Sequence, residues 1–298
     1  MSEKPQVSMS LVRRWSWLII CGGCILVVAC IALLGSVASG SPWADVASTD
    51  VKAYRSEQCE AIDKTAFFLQ IANFWSNFAY LAAGLMILFF NRSMPGRFIG
   101  GSLCFLALCS AWFHGTLTGL GQTLDIVGVY AVLLAIVAYG FIELMNWEYD
   151  DWQSWALMIG AVVVAFIGGF LRSEVIVFNS DVFTPALVVV IIGWMVWSAL
   201  ARNTPRGVEP AAEGNMWWGF GITVSAGLLA LVFKYTDGTD NLLAKHDGHY
   251  YECLYSHTSV IQGHALWHIF TAVMFVGMFE YFRAFRMRSE SPFPWRHQ

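Results

Sequence analysis

Eight apolar runs, each about as long as a bilayer-crossing helix, dominate the sequence and leave little freedom in what it can fold into. They lie at about Trp15–Ala38, Phe67–Phe90, Phe98–Thr118, Thr123–Trp147, Trp152–Leu171, Val182–Leu200, Met216–Phe233 and Val260–Phe282. A helix needs roughly 20 apolar residues to cross the hydrocarbon core. None of the runs alternates polar with apolar residues, as a barrel strand would. Composition agrees: 57% of the residues are hydrophobic and only 13% charged, about half the charged fraction usual for a soluble domain. The expected fold is therefore an all-α membrane bundle.

Basic residues orient it. With the N-terminus cytoplasmic, the inner segments hold Lys4, Arg13, Arg14, Arg92, Arg97, Arg202, Arg206, Arg283, Arg286, Arg288 and Arg296. The opposite side then holds only Lys52, Arg55, Lys64, Arg172, Lys234 and Lys245. The positive-inside rule favours this arrangement. The acidic loop Asn146–Asp151 gives no support to it, but acidic residues weigh little in that rule. A net charge of −4 says little about partners, and no nucleic-acid partner is expected.

The first run ends in Gly35-Ser36-Val37-Ala38, which resembles a signal-peptide cleavage site. Its apolar core exceeds the 7–15 residues usual for a signal peptide, so an uncleaved anchor is the preferred reading. The expected organisation is an anchor helix over residues 1–38, a non-cytoplasmic segment over 39–66, a seven-helix core over 67–283 and a cytoplasmic tail over 284–298. Gly119 to Gln122 reads as the tight turn between the third and fourth runs.

Cys21, Cys24, Cys30, Cys104 and Cys109 lie in apolar runs and read as small core residues. Cys59 and Cys253 fall in polar segments on the outer side, where disulfides persist. They are expected to pair, with two unrelated thiols as the alternative.

Polar side chains left inside apolar runs are functional candidates, because the membrane penalises them. The third run carries Ser110 and His114, the fourth opens with Gln122 and Asp125, and the last opens with Gln262, His264 and His268. Ser110 and His114 are four residues apart, as are His264 and His268, so each pair shares a helix face. The third run ends on the outer side, whereas the fourth and last begin there. Ser110, His114, Asp125, His264 and His268 thus fall at similar depth, within roughly 10 Å of one surface.

Three histidines with an open fourth position suit a catalytic zinc ion. A nearby carboxylate, Asp125, suits proton transfer to and from water and a leaving nitrogen. Ser110 could donate to an oxyanion or orient the water, or support a ligand histidine from behind. The bland readings weigh against single residues: a lone buried histidine is more often a packed core residue. Haem fits less well, because His114 has no partner for an axial pair. His246, His249 and His257 read as solvated loop histidines, and Trp112 and Trp267 as interfacial aromatics. Glu143 and Glu280 lie far from the constellation, and Glu280 is placed to pair with Arg283.

The pattern Ser-x-x-x-His, an aspartate eleven residues on, and His-x-x-x-His in the last run resembles the CREST superfamily of membrane hydrolases. Ser110–Thr116, Gln122, Asp125 and Gln262–His268 are most similar to its alkaline-ceramidase branch, as is Ala72–Asn77. The resemblance spans about Glu57 to Arg283, so the first run is an addition to a seven-helix core. It implies zinc-dependent hydrolysis of the ceramide amide, with His114, His264 and His268 as ligands and Asp125 and Ser110 as catalytic helpers. A cysteine of that branch is matched by Cys59. The branch can also hold calcium, for which Glu57, Glu60 and Asp63 offer oxygen ligands. The branch's glutamate position reads Asn73 here, a departure that weakens the calcium expectation.

Two other readings stay open at this point. One is an adiponectin-receptor-like or hemolysin-like membrane protein with a mainly structural zinc. The other is a lipid esterase of the same superfamily. Short loops and the lack of an endoplasmic-reticulum retrieval signal favour a bacterial inner membrane, with the site near the non-cytoplasmic face.

Overall fold

A computed structural model describes residues 41–45, 60–91, 93–145, 147–172, 174–200, 210–236, 245–246, 249–250 and 261–289. The first apolar run, at Trp15–Ala38, lies outside them. The described helices are α1 (Ile71–Ser76), α2 (Phe78–Phe90), α3 (Met94–Thr116), α4 (Gly119–Met145), α5 (Trp152–Leu171), α6 (Ser180–Leu200), α7 (Pro210–Thr236) and α8 (Gly263–Ser289). Taking α1 and α2 together, they give seven spans long and apolar enough to cross a membrane. The protein is an all-α membrane protein with seven spans among the described residues, one for each of the seven hydrophobic runs that fall there. The described residues add a 3-10 turn at Ile176–Phe178 and a short antiparallel ribbon, β1 (Lys245–His246) with β2 (His249–Tyr250).

Local chemistry explains the boundaries. Ser93 caps α3, its hydroxyl accepting from the Gly96 N–H at 3.2 Å, and Pro95 stands in the first turn, where its missing N–H costs nothing. The third-to-fourth turn is two residues earlier than the glycines suggested. Leu117 takes the left-handed conformation (φ 49°) and closes α3 through its N–H to the Phe113 carbonyl. α4 then begins at Gly119 itself. A leucine pays for that conformation with strain, and Leu117 is offset by being fully buried against Leu69 and Phe113.

The run Phe67–Phe90 also departs from a single helix. Residues 67–70 cross the end of α3, with the Leu69 and Gln70 N–H groups donating to the Gly115 and His114 carbonyls (both 3.1 Å). These carbonyls belong to the last turn of α3, where intrahelical donors run out. A short α1 follows, and the chain breaks at Asn77 before α2.

In lipid no hydrophobic force drives helices together, so close backbone approach and interhelical hydrogen bonds decide the packing. Gly84 of α2 meets Gly100 of α3 so closely that a Cβ on Gly84 would stand 2.6 Å from the Gly100 carbonyl oxygen. Gly219 of α7 and Gly277 of α8 do the same, a Cβ on Gly219 falling 3.0 Å from the Gly277 oxygen. Hydroxyls tie further pairs. Tyr281 of α8 donates to the Met195 carbonyl of α6 at 2.6 Å, and Tyr80 of α2 bonds Thr271 of α8 at 2.5 Å. α3 and α4 form the centre, each 67% buried along its most apolar stretch against 22% for α6. Ile159, Phe170, Val189, Trp218 and Leu228 face outward, as a lipid-facing rim should.

Candidate metal centre

Antiparallel alternation carries the C-terminal ends of α3, α5 and α7 and the N-terminal ends of α4 and α8 to one end of the bundle. Ser110 and His114 come from the last two turns of α3, Asp125 from the second turn of α4, and His264 and His268 from the first two turns of α8. The structure brings the three histidines together. One ligand-capable nitrogen from each lies within 4.8 Å of the others. Their ring centroids are separated by 5.1 Å (His114–His264), 5.1 Å (His114–His268) and 4.6 Å (His264–His268). His114 and His268 are buried and His264 half-buried.

Each ring is held from behind. The Nδ1 of His114 lies 2.7 Å from Oε1 of Gln70, and Nδ1 of His268 lies 2.8 Å from the Ser76 hydroxyl. Tyr80 meets the His268 ring edge-on at 5.7 Å, and Trp267 packs on His264 at 5.0 Å. The donor set fits a metal: three imidazoles converge, and two of them have their Nδ1 already engaged, leaving Nε2 toward the common point. Borderline-soft ions such as zinc favour such nitrogen sets.

Beside the histidines, the hydroxyl of Ser110 (2% exposed) interacts with the Asp125 carboxylate. A residue that spacing could not reveal completes this side. Arg172, at the end of α5, donates from Nη1 to the Gln122 carbonyl at 3.0 Å and from Nη2 to Gln122 Oε1 at 2.7 Å. Its charge acts on Asp125. On the far side Lys234, from the last turn of α7, stands 5.9 Å above the Trp267 ring.

Other candidates distribute as follows. Trp112 is half exposed and packs on Trp43 at 5.8 Å, in keeping with an interfacial aromatic. Of the calcium candidates, the Glu60 carboxylate accepts from the Ala72 and Asn73 N–H groups at 2.6 and 2.8 Å. Asp63 closes its own turn, accepting from the Thr65 N–H and hydroxyl and from the Ala66 N–H. Those donors, the Thr65 hydroxyl first, hold the Asp63 carboxyl below the usual range. Glu57, Cys59, Cys253 and His257 lie outside the described residues, and no disulfide links the cysteines within them. His246 and His249 are backbone register partners in the ribbon. At the opposite end, Glu280 pairs with Arg283 and Glu143 accepts from the Tyr149 hydroxyl at 2.6 Å, both remote from the histidines.

Fold and site together define a polytopic membrane protein with a three-histidine pocket able to hold a metal ion. The ceramidase family model matches residues 59–298. The chain belongs to the ceramidase family, and is thus a hydrolase of the ceramide amide bond. No curated protein matches it.

Proposed function

We propose that the protein is a zinc-dependent membrane amidase that cleaves ceramide, or a closely related N-acyl lipid, to a sphingoid base and a fatty acid. The observation that carries this reading is the convergence of His114, His264 and His268 beside the Ser110–Asp125 pair. When bound there, zinc supplies Lewis acidity, making a water acidic near neutral pH and polarising the amide carbonyl.

The chain's own residues do the rest. Asp125 takes a proton from the water as its oxygen bonds to the amide carbon, then returns it to the nitrogen as the C–N bond breaks. The second water proton leaves the new carboxyl group and ends on the amine, so the products are a carboxylate and an ammonium. Ser110, one turn deeper than His114, keeps Asp125 oriented through its hydroxyl. Arg172 and Gln122 support the same side of the pocket. Ceramide reaches the site sideways from the bilayer, since exposing its two hydrocarbon chains to water costs about 0.8 kcal/mol per CH₂.

The charge asymmetry favours a site near the non-cytoplasmic face with both termini cytoplasmic, and the short loops favour a bacterial inner membrane as its setting. Residues 1–38 act as an anchor ahead of the core over 67–283. The test is fatty-acid release from labelled ceramide by detergent-purified protein, run beside His268→Ala with zinc content measured for both. Release by the parent and none by the variant is the expected result. A folded, zinc-loaded parent that releases no fatty acid would refute the amidase reading.

A further inference from the structure

We infer that Gln70 and Ser76 are positioning residues that lock His114 and His268 into the one tautomer able to bind a metal through Nε2, and that a single stretch, residues 60–77, serves both rings. This rests on the metal-centre reading above.

A neutral imidazole carries one N–H and one lone pair, and either nitrogen can hold the proton. The lone pair must face the ion, so the partner of the other nitrogen decides whether the ring is a ligand. At His114 that partner is the amide oxygen of Gln70, 2.7 Å from Nδ1. An amide oxygen only accepts, so Nδ1 carries the proton and Nε2 is left with its lone pair.

At His268 the same result comes from different chemistry. A serine hydroxyl has a single proton, and that of Ser76 is donated to the Asn73 carbonyl at 2.8 Å. Toward His268 Nδ1, 2.8 Å away, the hydroxyl therefore offers a lone pair and accepts. Both rings end as Nδ1–H tautomers. The two ligands are far apart in the chain, yet the residues that orient them are only six positions apart.

The stretch that carries them is fixed at three places. Gln70 is 1% exposed, and its own N–H donates to the carbonyl of the histidine it orients. The Leu69 N–H does the same one residue on, at Gly115. Upstream, the Glu60 carboxylate receives the Ala72 and Asn73 N–H groups, donors at the start of α1 that have no intrahelical acceptor. α1 then delivers Ser76 to His268. Glu60 thereby acts on the metal pocket through α1 without touching it.

The experiment measures zinc affinity, by competition with a chromogenic chelator, on detergent-purified full-length parent, Gln70→Met, Gln70→Glu and Ser76→Ala proteins. Helical circular dichroism and thermal unfolding are recorded on each, and the absorption spectrum of the cobalt-substituted forms reports ligand geometry. Gln70→Met leaves the Nδ1–H of His114 without its acceptor, so zinc affinity is expected to fall about 10–100-fold and the cobalt spectrum to change. Gln70→Glu keeps an acceptor oxygen and should stay near the parent. Ser76→Ala should lose about tenfold, the lower end of that range, because the Asn73 carbonyl also reaches His268.

Gln70→Met that binds zinc as tightly as the parent, with an unchanged cobalt spectrum, overturns the inference. If that variant does not fold, Ser76→Ala with parental affinity and spectrum overturns it instead. A folded parent that binds no zinc fails the metal-centre reading itself, which is a different outcome.

Discussion

Asparagine at position 125 offers the most informative single perturbation, because it preserves shape while removing the proton acceptor. Asp125 is half-buried and its carboxylate interacts with the Ser110 hydroxyl, so the amide can keep the Ser110 contact and the helix packing. What is lost is proton transfer, worth about 10²–10⁴-fold in rate, or about 2.7–5.5 kcal/mol of transition-state stabilisation. Ser110→Ala removes a charge-assisted interaction of about 1.5–3 kcal/mol, which converts to about 10–150-fold. The two penalties draw on one contact, so they should not add. The double variant is expected to be no slower than Asp125→Asn by more than about threefold. The assay is the initial rate of fatty-acid release from labelled ceramide at equal zinc content. An Asp125→Asn protein within about threefold of the parent, or penalties that sum in full, would refute the assignment of Asp125 as the proton carrier and Ser110 as its support.

Three further outcomes are expected. Gly100→Val drives a side chain toward Leu88 and the Gly84 carbonyl, 2.7 and 2.9 Å from the first added carbon. It should lower stability by about 1–3 kcal/mol in detergent thermal melts, whereas Gly101→Ala, with nothing within 4 Å of its Cβ, should melt like the parent. Tyr149→Phe withdraws a donor from the buried Glu143 carboxyl and should cost about 1–3 kcal/mol in the same melts while leaving hydrolysis unchanged. Asp63 contributes stability above its unfolded value near 3.8 that is lost as pH falls through its lower folded value. The proteolytic resistance of the segment around Thr65 should therefore drop in the parent below about pH 4, and Asp63→Asn should show the weakened behaviour at every pH.

The clustering of the three histidines was legible because two constraints agreed. Spacing of four put His264 beside His268 and Ser110 beside His114, and helix direction put both pairs at one end of the bundle. The supporting residues were not legible, for a physical reason. Gln70 reaches His114 only because residues 67–70 leave helical conformation inside an unbroken apolar run, and nothing in Phe67–Phe90 marks the break at Asn77. Arg172 read as a loop cation counted for orientation, and only the packing of α5 on α4 turns it toward Gln122. The turn after α3 was misplaced onto glycines by local propensity. Burial of Leu117 overrode that propensity and carried the left-handed residue to a leucine.

The two halves of the histidine set enter the membrane at different times. His114 is made about 150 residues before His268, an interval of about 8–30 s at ordinary synthesis speeds. Until α8 inserts, α3 presents one imidazole, which cannot hold an ion tightly. On the proposed mechanism, the nascent protein is thus inert toward the bilayer that receives it, and hydrolytic capacity arrives only with the final span. A chain that stalls or is clipped before that span leaves a harmless set of helices, not a half-built enzyme loose among its own substrates.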